Sequence, residues 1–213
     1  WVALSPAYSF SRHLSLMQEL GTHPEVAAIT EVGHTLRGEP LHHVEIRSQP
    51  AGTLPAIWAV ARQHPGEPGG SYMMEGFLRW AVSSDPEAVA LRDRTEIHAI
   101  PFLNPDGVLA GNQRVNLAGL DLNRQWVNPT LSESPAIYWT QEAITDYRDS
   151  GGETRILLDF HSAPKGRRNF FYYNQEASSR TDLYSEIRAL LADIRALNGD
   201  FVPMDDNVAR PVQ

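Results

Sequence analysis

A short apolar strand that ends in a Pro-Gly loop places the strongest constraint on how this chain can fold. The run at residues 57–61 predicts a buried strand, and the sequence HPGE at residues 64–67 interrupts it with a turn. A helical pattern then begins at about Ser71. Open α/β sheets place their ligands at the carboxyl ends of strands. We therefore predict that His64 and Glu67 lie in a ligand site at this edge of a sheet.

The rest of the chain alternates between the two kinds of pattern. Strands are predicted over residues 26–32, 41–46, 57–61, 96–102, 154–160 and 170–173. Helices are predicted over residues 8–20, 71–83 and 183–197, and further helices open at Asp85 and Ser134. A turn is expected at residues 104–107 and a long irregular segment over residues 108–133. The apolar run in the strand at 154–160 predicts a central strand that is covered on both faces. This alternation is typical of an α/β domain with a central parallel or mixed sheet.

Composition excludes several classes of function. The 213 residues are enough for one domain with a sizeable core. A formal net charge of −8 argues against a nucleic-acid partner. No run approaches the roughly 20 apolar residues of a membrane helix, so no membrane partner is expected. The chain has no cysteine, which excludes cysteine-ligated metal and disulfide bonds.

Histidine and glutamate at two strand ends predict a metal site. Catalytic zinc sites use three ligands drawn from His and Asp/Glu and keep a fourth position for water. His64 and Glu67 flank the tight turn, and His161 follows a separate strand that can reach the same sheet edge. Taken alone, a His-x-x-Glu pair is weak support for a metal site, and His161 could be a structural histidine. A second pair, His42 and Glu45, lies inside a strand whose alternation sends the two side chains to opposite faces.

Two arginines in the irregular segment suggest that it binds an anion. Arg114 and Arg124 lie on the same polar stretch, which also contains Asp121. Arginine can hold a carboxylate through two parallel hydrogen bonds, and it can stabilise the oxyanion that forms when a carbonyl is attacked. The alternative is that these arginines are solvated or form ion pairs with nearby acidic residues such as Asp106, Asp121 and Glu133.

Five motifs in series give the chain a family resemblance. They are HPGE at 64–67, NPDGV at 104–108, GNQR at 111–114, GLDLNRQW at 119–126 and DFH at 159–161. In this order they resemble the M14 zinc metallocarboxypeptidases, and the residues within the motifs are most similar to those of the cytosolic carboxypeptidase branch. The resemblance covers roughly residues 57–175. It implies an α/β/α sandwich with a central mixed, mostly parallel sheet.

The resemblance also implies a mechanism. One Zn²⁺ per chain would be bound by His64, Glu67 and His161, and zinc-activated water would hydrolyse the last peptide bond of a substrate. Arg114 would polarise the scissile carbonyl and stabilise the oxyanion.

The substrate implied by the resemblance is a peptide or protein C-terminus. Asn123 and Arg124 would hold its terminal carboxylate, and Arg167 and Arg168 would accept an acidic side chain. Members of the cytosolic branch remove acidic residues, so the resemblance implies a cytoplasmic enzyme with a preference for acidic ends.

One part of the family pattern is missing, and it leaves alternatives open. The family needs a general-base glutamate on a strand well after the third ligand, but after His161 this sequence offers Glu176 and Glu186, and neither lies on such a strand. We therefore expect residues 1–213 to form a single catalytic domain that is incomplete at its C-terminus and lacks its last strands. Two other functions fit the motifs less well. One is a zinc amidohydrolase of the aspartoacylase or desuccinylase type, and the other is a non-catalytic, zinc-dependent binder of acidic C-termini.

Overall fold

The computed structural model describes residues 6–162 and 181–198. The helices are α1 (Phe10–Leu20), α2 (Pro68–Ala81), α3 (Pro86–Arg92), α4 (Pro105–Ala110), α5 (Pro135–Asp149) and α6 (Thr181–Leu197), and a 3₁₀ helix covers Leu122–Arg124. The strands are β1 (Val26–His34), β2 (Pro40–Ile46), β3 (Ala56–Ala61), β4 (Glu96–Ile100) and β5 (Thr154–Phe160). The predicted strand at residues 170–173 lies outside the described residues. None of the described helices combines the length and the apolar character needed to cross a membrane.

The strands form one mixed sheet in the order β1-β2-β4-β3-β5. β1 and β2 pair antiparallel and form a hairpin. β2 also pairs antiparallel with β4, whereas β4, β3 and β5 are parallel to one another. The mixed α/β architecture predicted from the sequence is therefore confirmed.

Alternate residues of β3 build a core on each face of the sheet. Ala59 and Ala61 pack with Leu78 and other residues of α1 and α2, whereas Trp58 packs with Ile137 and other residues of α5. This arrangement explains the apolar run at residues 57–61, since a strand covered on both faces has no position for a polar residue. The carboxyl end of β3 is thereby held rigidly inside the domain.

The structure differs from the sequence-based expectations at three places. α2 begins at Pro68, three residues before the predicted start, with proline in the first turn, where its missing N–H is tolerated. The predicted turn at 104–107 is instead the start of α4, with Asn104 as its N-cap. β5 is not covered on both faces: its residues alternate between exposed and half-buried, and within the described part of the chain it pairs with β3 alone.

Candidate metal centre

The loop between β3 and α2 has a constrained backbone. Arg62 has a φ of +61°, and no other described residue except glycine has a positive φ. Its buried side chain donates hydrogen bonds to the Pro65 carbonyl at 3.0 Å and to the Ser71 hydroxyl at 3.0 Å. Unusual backbone conformations of this kind persist where the surroundings enforce them, often at functional sites. The hydrogen bonds of Arg62 thus stabilise the conformation of the loop that contains His64, and they place Glu67 at the N-terminus of α2.

The first turn of α2 packs directly on the end of β5. A Cβ atom on Gly70 would lie 2.4 Å from the Phe160 carbonyl oxygen and 3.4 Å from the His161 Cα. The Gly70 amide also donates to the Ser162 hydroxyl at 3.2 Å. The close approach requires glycine at position 70, and it brings Glu67 and His161 from two separate segments to one point.

His64, Glu67 and His161 converge at this edge of the sheet. Nδ1 of His64 lies 2.8 Å from Glu67 Oε1, and Nδ1 of His161 lies 2.9 Å from Glu67 Oε2. Each residue offers one ligand atom, and these atoms all lie within 4.8 Å of one another. The structure therefore brings together the three residues predicted as metal ligands. Two imidazoles and one carboxylate form a donor set that fits a catalytic zinc ion.

Each imidazole is oriented by a second carboxylate on its other nitrogen. Nε2 of His64 lies 3.0 Å from Asp121 Oδ1, and Nε2 of His161 lies 2.8 Å from Asp159 Oδ2. A carboxylate that accepts from one ring nitrogen holds a proton there and directs the other nitrogen to a metal. Both Nδ1 atoms are thus the ones that would bind a metal. Nothing in the local sequence indicates that Asp121 contacts His64.

Charge and hydrogen bonding shift the pKa values of these groups. Burial alone would raise the pKa of Glu67, but hydrogen bonds from His161, His64 and the Ser162 amide outweigh it and hold that pKa far below its usual range. Burial alone would lower the pKa of His161, but its hydrogen bonds to Asp159 and Glu67 raise it to about 9. Glu67 is therefore an anion throughout the physiological range, and the site attracts positive charge.

The predicted anion-binding residues lie close to this centre. Arg114 Nε donates to Asp121 Oδ2 at 2.8 Å, so Asp121 contacts both His64 and Arg114. The ion pair considered for Arg114 is therefore present, although half of the side chain stays exposed. Asn123 and the exposed Arg124 lie on the 3₁₀ helix, which Asp121 caps through the Asn123 amide at 3.0 Å. Arg167 and Arg168 lie outside the described residues.

The Asn-Pro-Asp-Gly motif at residues 104–107 forms hydrogen bonds to the loop between β3 and α2 and to the turn between β1 and β2. The Asn104 side chain accepts from the Gly107 amide at 3.0 Å and donates to the Gln63 carbonyl at 2.9 Å. Asp106 is buried and accepts from the Thr35 hydroxyl at 2.6 Å and the Arg37 amide at 3.1 Å. This motif therefore connects both the β1–β2 turn and the loop between β3 and α2 to α4. Its turn-like sequence did not reveal this role.

Comparison with known proteins identifies the family. The zinc carboxypeptidase family model matches residues 13–186. The chain is 37% identical over 164 residues to cytosolic carboxypeptidase 4 of Mus musculus, a match that covers 76% of this chain and 14% of the relative. It is 31% identical over 188 residues to cytosolic carboxypeptidase 2 of Danio rerio, covering 84% of this chain and 26% of the relative. The chain belongs to the zinc carboxypeptidase family, as its motifs suggested.

Solved structures show the same architecture. A putative carboxypeptidase A from Shewanella denitrificans superposes with a TM-score of 0.84 at 29% identity, covering 92% of this chain and 50% of that one. A metallo-carboxypeptidase from Pseudomonas aeruginosa in complex with (2-guanidinoethylmercapto)succinic acid superposes with a TM-score of 0.80 at 26% identity, covering 92% of this chain and 50% of that one. The chain thus spans about half the length of these structures and a smaller share of the curated relatives it matches.

Proposed function

We propose that the protein is a zinc-dependent metallocarboxypeptidase that removes the C-terminal residue of peptides or proteins. The convergence of two histidine Nδ1 atoms and the Glu67 carboxylate carries this proposal. His64, Glu67 and His161 would hold one Zn²⁺. When bound, zinc supplies a Lewis acid and a water nucleophile that is active at neutral pH.

Other residues of the chain would bind and orient the substrate. Arg114 and His64 both contact the Asp121 carboxylate, so Arg114 lies close to the metal position. The side chain of Arg114 is half-exposed, and its guanidinium would stabilise the carbonyl oxygen of the substrate as negative charge develops on it. Asn123 and Arg124 follow on the same loop and would hold the terminal carboxylate of the substrate. A C-terminal carboxylate is the feature that distinguishes the last peptide bond from all others, so this pair would make the enzyme a carboxypeptidase.

An acidic C-terminal residue is the substrate side chain that we infer. Arg167 and Arg168 follow the third ligand in the sequence and could pair with a second carboxylate. Because the net charge of the chain is −8, local arginines would have to attract such a substrate. The names of the curated relatives also favour a cytoplasmic location.

A peptidase assay on the full-length protein tests this function. We expect release of free glutamate from a peptide ending in glutamate, no release from the same peptide amidated at its C-terminus, loss of activity after chelation, and recovery with zinc. His64→Ala should abolish turnover, whereas His23→Ala, which changes an exposed histidine, should not.

Two other outcomes would replace the proposal. Turnover of N-acyl amino acids without turnover of peptides would establish an amidohydrolase. Zinc-dependent binding of the peptide without turnover would establish a binding protein for acidic C-termini.

A further inference from the structure

A buried glutamine next to the first metal ligand connects two parts of the site. Gln63 is 1% exposed and lies two residues after the end of β3. We propose that Gln63 is a positioning residue that fixes the orientation of His161 through Asp159. This inference rests on the proposed zinc site.

The hydrogen bonds of the Gln63 amide reach two distant segments. Its Nε2 donates to Asp159 Oδ2 at 2.5 Å, and the partner lies 96 residues away in sequence. Its Oε1 accepts from the indole Nε1 of Trp126 at 3.0 Å. The same Asp159 oxygen lies 2.8 Å from Nε2 of His161. A continuous chain of hydrogen bonds therefore runs from Trp126 through Gln63 and Asp159 to His161.

The direction of this chain is set at its Trp126 end. An indole N–H can only donate, so the oxygen of the Gln63 amide must face Trp126 and the NH₂ group must face Asp159. Asp159 then accepts from both Gln63 and the Nε2–H of His161. In the structure Nδ1 of His161 faces the Glu67 carboxylate. A metal that displaces the proton from Nδ1 would leave the proton on Nε2 with Asp159, and the Nδ1 lone pair would then bind the metal.

The same amide links the metal position to the proposed carboxylate clamp. Trp126 comes two residues after Arg124, and Gln63 comes directly before His64. The side chain of Gln63 thus holds the loop of Asn123 and Arg124 against the strand ends that carry the metal ligands. Loss of this amide would free the Asp159 carboxylate to rotate, and the His161 ring with it.

Zinc dissociation is the measurement that tests this role, because it does not depend on turnover. We would load the full-length protein with zinc and follow its transfer to a chromogenic chelator. Gln63→Met keeps the volume of the side chain and removes both hydrogen bonds, and we expect about tenfold faster zinc loss, the lower end of the range for groups that orient metal-binding histidines. Gln18→Met is the control, since Gln18 is an exposed glutamine of α1 that is not part of this chain of hydrogen bonds. It should release zinc at the wild-type rate.

A double variant separates positioning from a general structural effect. If Gln63 acts through Asp159, adding Gln63→Met to Asp159→Ala should accelerate zinc loss no further. Additive effects would overturn the proposal, and so would an unchanged rate in Gln63→Met.

If Gln63→Met does not fold, Trp126→Phe provides the second test, because it removes the donor that sets the direction of the hydrogen-bond chain. Trp126→Phe should accelerate zinc loss at least twofold, and an unchanged rate would count against the proposal. Failure of the wild-type protein to bind zinc would instead refute the proposed function.

Discussion

Substitution of Gly70 by alanine should damage both the stability of the fold and the metal centre. The new Cβ would lie 2.4 Å from the Phe160 carbonyl oxygen, whereas ordinary contacts begin at 3.4 Å, so α2 and the end of β5 would have to separate by about 1 Å. Overpacking of this kind costs about 1–3 kcal/mol. The better helix propensity of alanine returns at most about 1 kcal/mol. We therefore expect the free energy of unfolding to fall by up to about 2 kcal/mol.

The same displacement should weaken metal binding. Glu67 lies on the α2 side of this contact and His161 on the β5 side, and metal–ligand distances tolerate shifts of only about 0.2 Å. Urea denaturation and a zinc titration of Gly70→Ala measure the two effects. Gly76→Ala is the control in the same helix: its Cβ would have no neighbour within 4 Å, so it should stabilise the protein by about 0.5–1 kcal/mol and leave zinc affinity unchanged. Our account of the α2–β5 contact would be refuted if Gly70→Ala matched Gly76→Ala in stability and bound zinc like the wild type.

Three further predictions concern charge. The ion pair with Arg12 chiefly lowers the pKa of Glu75 from its ordinary 4.5 to about 2, so the unfolded chain binds the extra proton and stability falls as the pH falls between these values. This acid-induced loss in the free energy of unfolding is at most about 3 kcal/mol. Urea unfolding of Glu75→Gln at a series of pH values should show that the loss is gone, and the same pH dependence as in the wild type would contradict this prediction. Burial lowers the pKa of His13 from 6.5 to about 3, so stability should fall by up to about 1.4 kcal/mol per pH unit on acidification through this window, and His13→Gln should flatten the slope. Arg124→Ala should raise the KM for a peptide substrate at least tenfold, whereas Arg148→Ala, an exposed arginine paired with Asp149, should not; equal KM values would disprove the carboxylate clamp.

Local sequence patterns predicted the helices and strands of this fold because the spacing of apolar residues along the chain reflects the type of secondary structure. The apolar run at 57–61 gave β3, and helical spacing gave α6 at nearly its observed bounds. The sequence pattern predicts a start of α2 that is three residues too late, because Gly69 and Gly70 look like turn residues, whereas in the structure they allow close contact with Ser162 and Phe160. The turn assigned to 104–107 was wrong for a related reason, since Asn-Pro is also a helix start.

The metal ligands could be predicted because chemistry and position agreed. His64 and Glu67 combine metal-binding side chains with the end of a parallel strand, and His161 occupies the equivalent end of β5. The contacts of Asp121 and Gln63 could not be predicted in this way. Their partners lie 57 and 96 residues away, and nothing in the local sequence records which side chain meets which. Hydrogen-bond partners over such distances follow from the assembled sheet.

Anomalous X-ray diffraction at the zinc edge, on crystals of the full-length protein, tests the central claim most directly. The account predicts one peak per chain, bonded to Nδ1 of His64, the carboxylate of Glu67 and Nδ1 of His161, while the two Nε2 atoms keep their contacts with Asp121 and Asp159. Absence of a peak among these three residues in zinc-loaded crystals, or zinc bound through the Nε2 atoms, would contradict it.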